Sequence, residues 1–96
     1  MARGLLVLVF AIIVQTIFAL NCNDDAWIDG SAPLFTKDTC RSNEKSCYYL
    51  VCQMPNGDQF HNKGCALSDS FCAVDHCSEV LGTTTKCQTC SEDYCN

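Results

Sequence analysis

The sequence predicts a small all-β, disulfide-rich protein built from short antiparallel hairpins. Ten cysteines fall in the 77 residues that follow Ala19, about 13% of that segment, and this density in a short secreted chain is typical of a disulfide scaffold. Runs of strand-forming residues alternate with turn-forming residues. No stretch of eleven or more residues outside the amino-terminal segment has helical periodicity. We therefore expect one β domain over residues 20–96.

The first nineteen residues have the three regions of a secretory signal peptide. Arg3 supplies the positive charge, Leu5 to Val14 is an unbroken apolar run, and Ala19 precedes the favoured cleavage point. A transmembrane helix needs about 20 apolar residues, roughly twice this run. A lipid anchor would need a spacer and an apolar tail behind the domain. We therefore expect a secreted, extracellular protein without a membrane anchor.

Charge and size limit what the protein can bind and how it is stabilised. The formal net charge is −5, and removal of Arg3 with the signal peptide makes it −6. An acidic chain with scattered cations is a poor candidate for binding nucleic acid or anionic lipid. Apolar burial and conformational entropy nearly cancel in domains below roughly 70–80 residues. We therefore expect the disulfides to supply much of the stability, so that reduction unfolds the protein.

The loop between Cys47 and Cys65 carries the strongest strand signal. Tyr48 to Val51 is rich in strand formers, and Asn56-Gly57 is the preferred dipeptide of a two-residue type I′ turn. Since side chains alternate along a strand, Cys47 and Cys52 should point to opposite faces and belong to different disulfide layers. The register that this turn predicts pairs Pro55 with Asp58, Gln53 with Phe60, Cys52 with His61, and Leu50 with Lys63.

Two other loops have hairpin patterns of their own. One lies between Cys22 and Cys40 and has short apolar arms on either side of a turn. The other precedes Cys87 and has a strand, a glycine turn and a β-branched return strand. In the first of these loops the arms are Trp27-Ile28 and Leu34-Phe35, and the turn contains Asp29-Gly30-Ser31 and Pro33. In the second the strands are Glu79-Val80-Leu81 and Thr83-Thr84-Thr85, and the turn is at Gly82.

The end of the chain has the pattern of a clasp. Cys90 and Cys95 enclose only four residues, a loop short enough to be closed by a disulfide if the chain reverses. Ser91-Glu92-Asp93 favours that reversal because its side chains can bond the backbone ahead of them. Asn96 can offer an amide donor and an acceptor to neighbouring strands.

The cysteine spacing covers the whole segment after the signal peptide. The spaced segments are Leu20-Asn21-Cys22, Cys40-x6-Cys47, Gly64-Cys65-x6-Cys72-x4-Cys77 and Cys90-x4-Cys95-Asn96. In this order they resemble the lymphocyte-antigen-6/urokinase-receptor, or three-finger, superfamily, and the third segment is similar to activin- and BMP-receptor ectodomains. The resemblance implies three short antiparallel hairpins on a cystine knot-like core.

Two features differ from the usual three-finger pattern. The second and third cysteines of the first finger are missing and Cys52 is extra, and Cys87-x2-Cys90 stands where many members have adjacent cysteines. These differences resemble the nematode ET module, a cysteine-rich branch of the superfamily. The resemblance implies the pairs Cys22–Cys47, Cys40–Cys65 and Cys90–Cys95. For the other four we expect Cys77–Cys87 with Cys52–Cys72, and the sequence leaves their alternative pairings open.

The residues give little support for catalysis or metal binding. His61 and His76 are the only histidines, and Asp75-His76-Cys77 would need a free thiol to act as a nucleophile. A closed zinc site needs four converging ligands. Asp24-Asp25 and Glu92-Asp93 fit a solvated acidic face better than a calcium site. We therefore expect no catalytic residues, no metal and no cofactor.

Recognition of another protein is the function that remains. Three-finger relatives present loop tips and one sheet face to protein partners, and exposed aromatic or Met side chains on a rigid frame suit a binding hot spot. The first two loops carry such residues, although aromatic side chains in so small a domain can also simply cover the disulfide core. The candidate partner-binding residues are Trp27, Ile28, Leu34, Phe35, Met54, Pro55, Asn56, Asp58 and Phe60.

Three functions from different classes are considered. The first is a secreted, non-enzymatic module that binds a cell-surface receptor or another extracellular protein, of unknown identity, through its loop tips. The second is a membrane-active toxin or antimicrobial peptide, which the negative charge disfavours. The third is a small secreted hydrolase that would use His76.

Overall fold

Two antiparallel sheets form the framework of the protein. The computed structural model describes residues 19–96, so the predicted signal peptide lies outside the described residues except for Ala19. One sheet pairs β1 with β3, and the other has four strands in the order β2-β5-β4-β6. The elements are β1 (Asn21–Asn23), β2 (Asp25–Ile28), β3 (Lys37–Thr39), β4 (Ser46–Gln53), β5 (Gln59–Ala66) and β6 (Thr83–Cys90), with two short 3-10 helices, Asp69–Ala73 and Ser78–Val80.

This architecture confirms the predicted small all-β, disulfide-rich class. All ten cysteines are joined in five disulfides, and no α-helix is present among residues 19–96. Within the same range, no helix has the length and apolar character needed to cross a membrane.

The turn between β4 and β5 corrects the predicted register. The Met54 amide donates to the Asp58 carbonyl at 2.8 Å, and the Gly57 amide donates to the Met54 carbonyl at 3.0 Å, so the loop has three residues rather than two. Pro55 suits the first central position of this turn because its ring fixes φ, and Gly57 takes the left-handed conformation with φ of 91°. A type I′ turn would also need a positive φ at Asn56, which this residue does not have.

The one-residue difference changes which side chains face each other. Tyr49 lies opposite Lys63, where the predicted register placed Leu50. A slip of one residue moves each cross-strand partner to the other face of the sheet. The predicted separation of Cys47 and Cys52 is correct, because alternation along β4 is unbroken against β5 and the one irregularity lies in the β4–β6 pairing.

The first loop is a hairpin only at its base. β1 pairs with β3, whereas β2 leaves the loop to pair with β5. The predicted arms Trp27-Ile28 and Leu34-Phe35 are therefore not paired with each other. The free edge of β5 pairs with the backbone groups on one side of β2, which is itself an edge strand of the sheet. Leu34 and Phe35 are left 77% and 79% exposed.

The third loop has the predicted return strand, now β6, but not the predicted outgoing strand. Ser78–Val80 is a 3-10 helix that ends at Leu81, whose φ is 56°. The Gly82 amide then donates to the Cys77 carbonyl at 2.9 Å. A Cβ atom on Gly82 would lie 2.8 Å from the Gln53 carbonyl oxygen, so this close approach requires glycine. β6 pairs with β4 instead of closing a local hairpin.

Three disulfides form a layer that joins the two sheets. The sulfur atoms of Cys22 and Cys40 lie 3.2 Å apart, so two of the bridges pack directly on each other. Leu20 covers this layer, which is one of two small buried clusters. The three bridges agree with those implied by the three-finger resemblance: Cys22–Cys47, Cys40–Cys65 and Cys90–Cys95.

The other two disulfides correct the expected pairing of Cys77 with Cys87 and of Cys52 with Cys72. The structure instead joins Cys52 to Cys77 and Cys72 to Cys87. Phe71 stacks on Tyr48, with ring centroids 4.1 Å apart, which places Cys72 over the middle of β4. The chain then runs along the sheet, so that Cys77 reaches the far end of β4 at Cys52. Cys87 lies opposite Leu50 on β6 and is therefore the partner within reach of Cys72.

The carboxyl-terminal segment closes the fold as predicted. The Tyr94 amide donates to the Asn21 carbonyl at 2.8 Å. The Asn96 side chain accepts from the Asn23 amide at 3.0 Å and donates to the carbonyls of Asn23 and Tyr48 at 3.0 and 2.8 Å. Asn96 is only 9% exposed, so a single amide group links β1 to β4 inside the protein.

We predict that the corrected pairing can be distinguished by two double variants. Cys52→Ala with Cys77→Ala removes one complete bridge, so it should leave no free thiol and cost about 3–4 kcal/mol of unfolding free energy in the chain-entropy model. Cys52→Ala with Cys72→Ala should leave two reactive thiols, on Cys77 and Cys87. Urea unfolding and thiol labelling measure both effects. A Cys77–Cys87 bridge in the disulfide map of the unaltered chain would contradict the observed pairing.

We predict that Asn96→Asp destabilises the protein by about 2–4 kcal/mol. The change replaces a buried NH2 donor with a carboxylate oxygen that faces two carbonyl oxygens, so two hydrogen bonds are lost and acceptors are left unpaired. Urea unfolding measures the loss. Asn43→Asp makes the same chemical change at an exposed position and serves as the control. Equal stability of the two variants would show that the clasp contributes little.

Candidate functional site

The two faces of the four-stranded sheet differ in chemistry. One face, here called the groove face, is covered by the 3-10 helix Asp69–Ala73 and by the disulfides of Cys52 and Cys87. The other, here called the aromatic–lysine face, carries the disulfides of Cys47, Cys65 and Cys90 at one end and a group of aromatic and basic residues beyond them. Its five residues come from all four strands: Trp27 on β2, His61 and Lys63 on β5, Tyr49 on β4, and Lys86 on β6.

A chain of hydrogen bonds fixes the centre of the aromatic–lysine face. His61 Nε2 lies 2.8 Å from the Asp29 carboxylate, and His61 Nδ1 lies 2.9 Å from the Tyr49 hydroxyl. With a neutral ring, Nε2–H donates to Asp29 and Nδ1 accepts from the Tyr49 O–H. Trp27 stacks on His61 with ring centroids 4.7 Å apart and an interplanar angle of 2°. Three strands and the first loop are thus held in one arrangement.

Two lysines surround the Tyr49 ring. Lys63 Nζ lies 4.6 Å from the ring centroid and Lys86 Nζ lies 4.7 Å from it. Lys63 Nζ is also 5.8 Å from the Trp27 ring. Because aromatic faces attract cations, the rings hold both ammonium groups close to the sheet. The face therefore presents positive charge above an apolar aromatic surface.

A cavity of about 200 Å³ lies beside Lys63, between the sheet and the first loop. Its lining residues are Asn23, Asp25, Trp27, Pro33, Phe35, Thr36 and Lys63. The buried Asp25 carboxylate accepts from the amides of Ala26 and Phe35, each at 2.9 Å. Phe35 has a φ of 56°, a conformation that costs energy for a side chain of this size, and it is held there by the bond to Asp25.

The groove face contains the second histidine. Phe71 stacks on His76 with ring centroids 3.9 Å apart, and His76 Nε2 lies 2.6 Å from the Phe71 carbonyl. Tyr48 and His76 help to line a cavity of about 340 Å³ on this face. Burial raises the pKa of Tyr48, and the negative charges of Asp24 and Glu44 raise it further. Cys77 is oxidised, so no thiolate stands beside His76 to act as a nucleophile.

Three cysteine sulfur atoms lie close enough together to be considered as a metal site. The sulfur atoms of Cys22, Cys40 and Cys65 all lie within 4.8 Å of one another. Each of these cysteines is in a disulfide, and a metal ligand would have to be a thiolate. His61 and His76 lie on opposite faces of the sheet and cannot share a metal ion.

The structure divides the candidate partner-binding residues among four places. Trp27 and Phe35 both line the cavity beside Lys63. Leu34 is exposed next to Phe35, and Ile28 lies opposite Phe60, which lines the cavity of the groove face. The tip of the β4–β5 hairpin carries Met54, Pro55, Asn56 and Asp58.

The roles of four residues on the aromatic–lysine face were missed from the sequence: Tyr49, His61, Lys63 and Lys86. The signal that would have found them is the cross-strand pairing of Tyr49 with Lys63, which requires the three-residue turn.

We predict that Tyr49→Phe costs about 1–2 kcal/mol of unfolding free energy. The phenyl ring retains the contact with both lysines, but His61 Nδ1 loses its hydrogen-bond donor while half-buried. Urea unfolding measures the cost, and NMR of the imidazole nitrogens reports the change at His61. Tyr48→Phe removes a hydroxyl on the opposite face and should leave the His61 signals unchanged. Unchanged His61 signals in Tyr49→Phe would contradict the hydrogen-bond chain.

Comparison with known proteins does not place this chain in a family. No protein-family model, no curated protein and no solved structure matches it. The three-finger resemblance therefore stays a prediction from the order and spacing of the cysteines, and a function has to be inferred from this chain's own residues and contacts.

Proposed function

We propose that this chain is a secreted, non-enzymatic module that binds a cell-surface receptor or another extracellular protein through its loop tips. We also propose that its three loops correspond to the three fingers of the resembling superfamily. The disulfide content supports a secreted location, because five bridges persist in oxidising compartments and are rare where thiols are kept reduced.

The state of Phe35 is the observation that carries this proposal. An aromatic side chain is 79% exposed at the first loop while its backbone is held in an unfavourable conformation by a buried carboxylate. Burial of Phe35 in the core does not explain this arrangement, since the side chain is not buried. Strained backbone that the surrounding structure maintains is often found at binding sites.

The first loop is ordered before it meets a partner. The Asp24 amide donates to the Thr36 carbonyl at 2.9 Å, and the Thr36 hydroxyl donates to the Asp24 carbonyl. The Ser31 hydroxyl closes the turn by donating to the Ile28 carbonyl at 2.6 Å. Little conformational entropy is then lost when Leu34 and Phe35 bind, so more of the contact energy appears as affinity.

The second loop offers a smaller surface of the same kind. Pro55 and Gly57 fix the shape of the three-residue turn, and the Asn56 side chain accepts from the Asp58 amide at 3.0 Å. Met54 is half-buried beside this turn and can adapt its shape to a partner.

Both histidines already have structural neighbours, which supports a non-enzymatic role. His61 is bonded to Asp29 and Tyr49 under Trp27, and His76 is stacked on Phe71. A general base needs to reach a substrate proton from its free ring nitrogen. His61 has no free ring nitrogen, and His76, whose Nε2 lies at the Phe71 carbonyl, has no thiolate beside it to activate.

We predict that Phe35→Ser and Met54→Ala each reduce binding to the partner at least tenfold while the disulfide-bonded fold is retained. Loss of a hot-spot side chain costs more than about 1.4 kcal/mol, which is a factor of ten in affinity. The measurement is retention of extracellular proteins on the immobilised refolded chain, quantified by mass spectrometry for each variant. Leu67→Ser is the matched control, because Leu67 is 64% exposed but lies outside these loops.

Two outcomes would contradict the proposal. Equal retention on all variants, Leu67→Ser included, would show that the loop tips do not form the binding surface. Release of dye from liposomes by the intact chain would support the membrane-active alternative instead.

A further inference from the structure

The aromatic–lysine face concentrates positive charge on an acidic chain. Residues 20–96 contain five Lys and Arg residues against eleven Asp and Glu residues. Two of those five cations, Lys63 and Lys86, lie around the single ring of Tyr49. Their ammonium groups are therefore within about 10 Å of each other, where like charges repel and reinforce the local positive potential. Such a pair costs energy unless an anion is present.

The nearby carboxylates are not bonded to these lysines, although the charge of Asp25, which lies opposite Lys63, partly offsets that of Lys63. Asp29 is engaged with His61, and both oxygens of Asp25 accept backbone amides. Within residues 19–96, His61 is the one His, Lys or Arg side chain that has a carboxylate oxygen within 4.0 Å, at Asp29, so neither Lys63 nor Lys86 has such a partner there. Both ammonium groups are available to an incoming anion.

The same face has an apolar compartment next to the charge. Lys63 contacts the Tyr49 ring and also lines the cavity of about 200 Å³ that Trp27, Pro33 and Phe35 wall. A cavity of this size accommodates one apolar side chain but not a drug-sized ligand, whose pockets are about 300–1,000 Å³. Charge and apolar surface are thus adjacent, and Lys63 belongs to both.

We infer that the aromatic–lysine face binds an acidic segment of a protein partner, with carboxylates at Lys63 and Lys86 and a neighbouring apolar side chain in the cavity. This inference rests on the proposed protein-binding function and names the chemistry of the partner. Charge complementarity selects the occupant, because the face is positive and apolar while the rest of the chain is acidic. A long polyanion or an anionic membrane would also cover the acidic remainder of the surface and be repelled.

The test uses the disulfide-bonded mature chain and two synthetic peptides, acetyl-Gly-Glu-Leu-Glu-Gly-amide and the same peptide with Gln in place of Glu. NMR titration follows the Trp27 indole N–H and the Lys63 and Lys86 side chains. We expect the acidic peptide to shift these signals and to bind at least threefold tighter than the Gln peptide. We expect Lys63→Gln and Lys86→Gln each to weaken its binding about three- to fivefold.

Controls separate a local site from general electrostatics. Lys45→Gln removes the same charge from an exposed position outside this face and should leave the affinity unchanged. Lys86 is exposed, so Lys86→Gln carries the test if Lys63→Gln does not fold. Equal binding of the two peptides, equal effects of Lys45→Gln and Lys86→Gln, or shifts confined to Tyr48 and Phe71 would overturn the inference.

Other ligands distinguish the alternatives. Tighter binding of heparin or of phosphatidylserine vesicles through the same lysines would also overturn it, because the occupant would then not be a protein segment. Retention of the natural partner that depends on Phe35 but not on Lys63 or Lys86 would reject this inference and leave the proposed function intact. Loss of dependence on Phe35 as well would reject both.

Discussion

The packing of two disulfides against each other is the constraint on which the rest of the structure depends. Cys47 lies near the start of the central strand β4, directly opposite Cys65 on β5 and Cys90 on β6. These three neighbours are each bonded to a different partner, so one row of the sheet is tied to β1, to the end of β3 and to the carboxyl-terminal turn. The fully buried side chains are otherwise few and small. Covalent bonds therefore supply the long-range contacts that a larger domain obtains from its core.

This arrangement separates the residues that stabilise the loops from those that we propose to bind a partner. The disulfide layer stabilises the roots of the loops, and the second layer at Cys52 holds the 3-10 helices on the groove face. The distal parts of the loops are then not needed to bury apolar area. That is why Leu34 and Phe35 can remain exposed and why two lysines can stand around one aromatic ring without unfolding the domain.

How far the sequence predicted the structure depended on whether a feature was local. The strand character of β4, the opposite faces of Cys47 and Cys52, and the bonds of Asn96 follow from alternation and from side-chain chemistry within a short segment. The register of β4 and β5 was not predicted correctly, because Pro55 before Asn56-Gly57 favours a three-residue loop. A change of one residue in the length of the loop changes every facing pair. The predicted register therefore separated Tyr49 from Lys63, and the candidate site could not be recognised.

The disulfide partner of Cys52 was predicted wrongly for a different reason. Cys72 and Cys77 lie in the same segment after β5. Which of them bonds to Cys52 depends on the direction in which that segment crosses the sheet. Stacking of Phe71 on Tyr48 sets that direction, and it is a contact between residues 23 positions apart that no local pattern reveals. The second disulfide layer is consequently a product of tertiary packing, whereas the pairs of the first are those that the three-finger resemblance implies.

The charge distribution of this acidic protein is compatible with the acidic partner that we propose. At physiological ionic strength the Debye length is about 8 Å, so exposed charges farther away than this are largely screened. A carboxylate placed between Lys63 and Lys86 lies within that distance of both, and Asp25 and Asp29 nearby are already hydrogen-bonded. The net charge of the whole chain opposes the approach of the partner only weakly, while the two lysines act at contact. Selectivity then comes from the arrangement of a few groups on one face rather than from the overall charge of the protein.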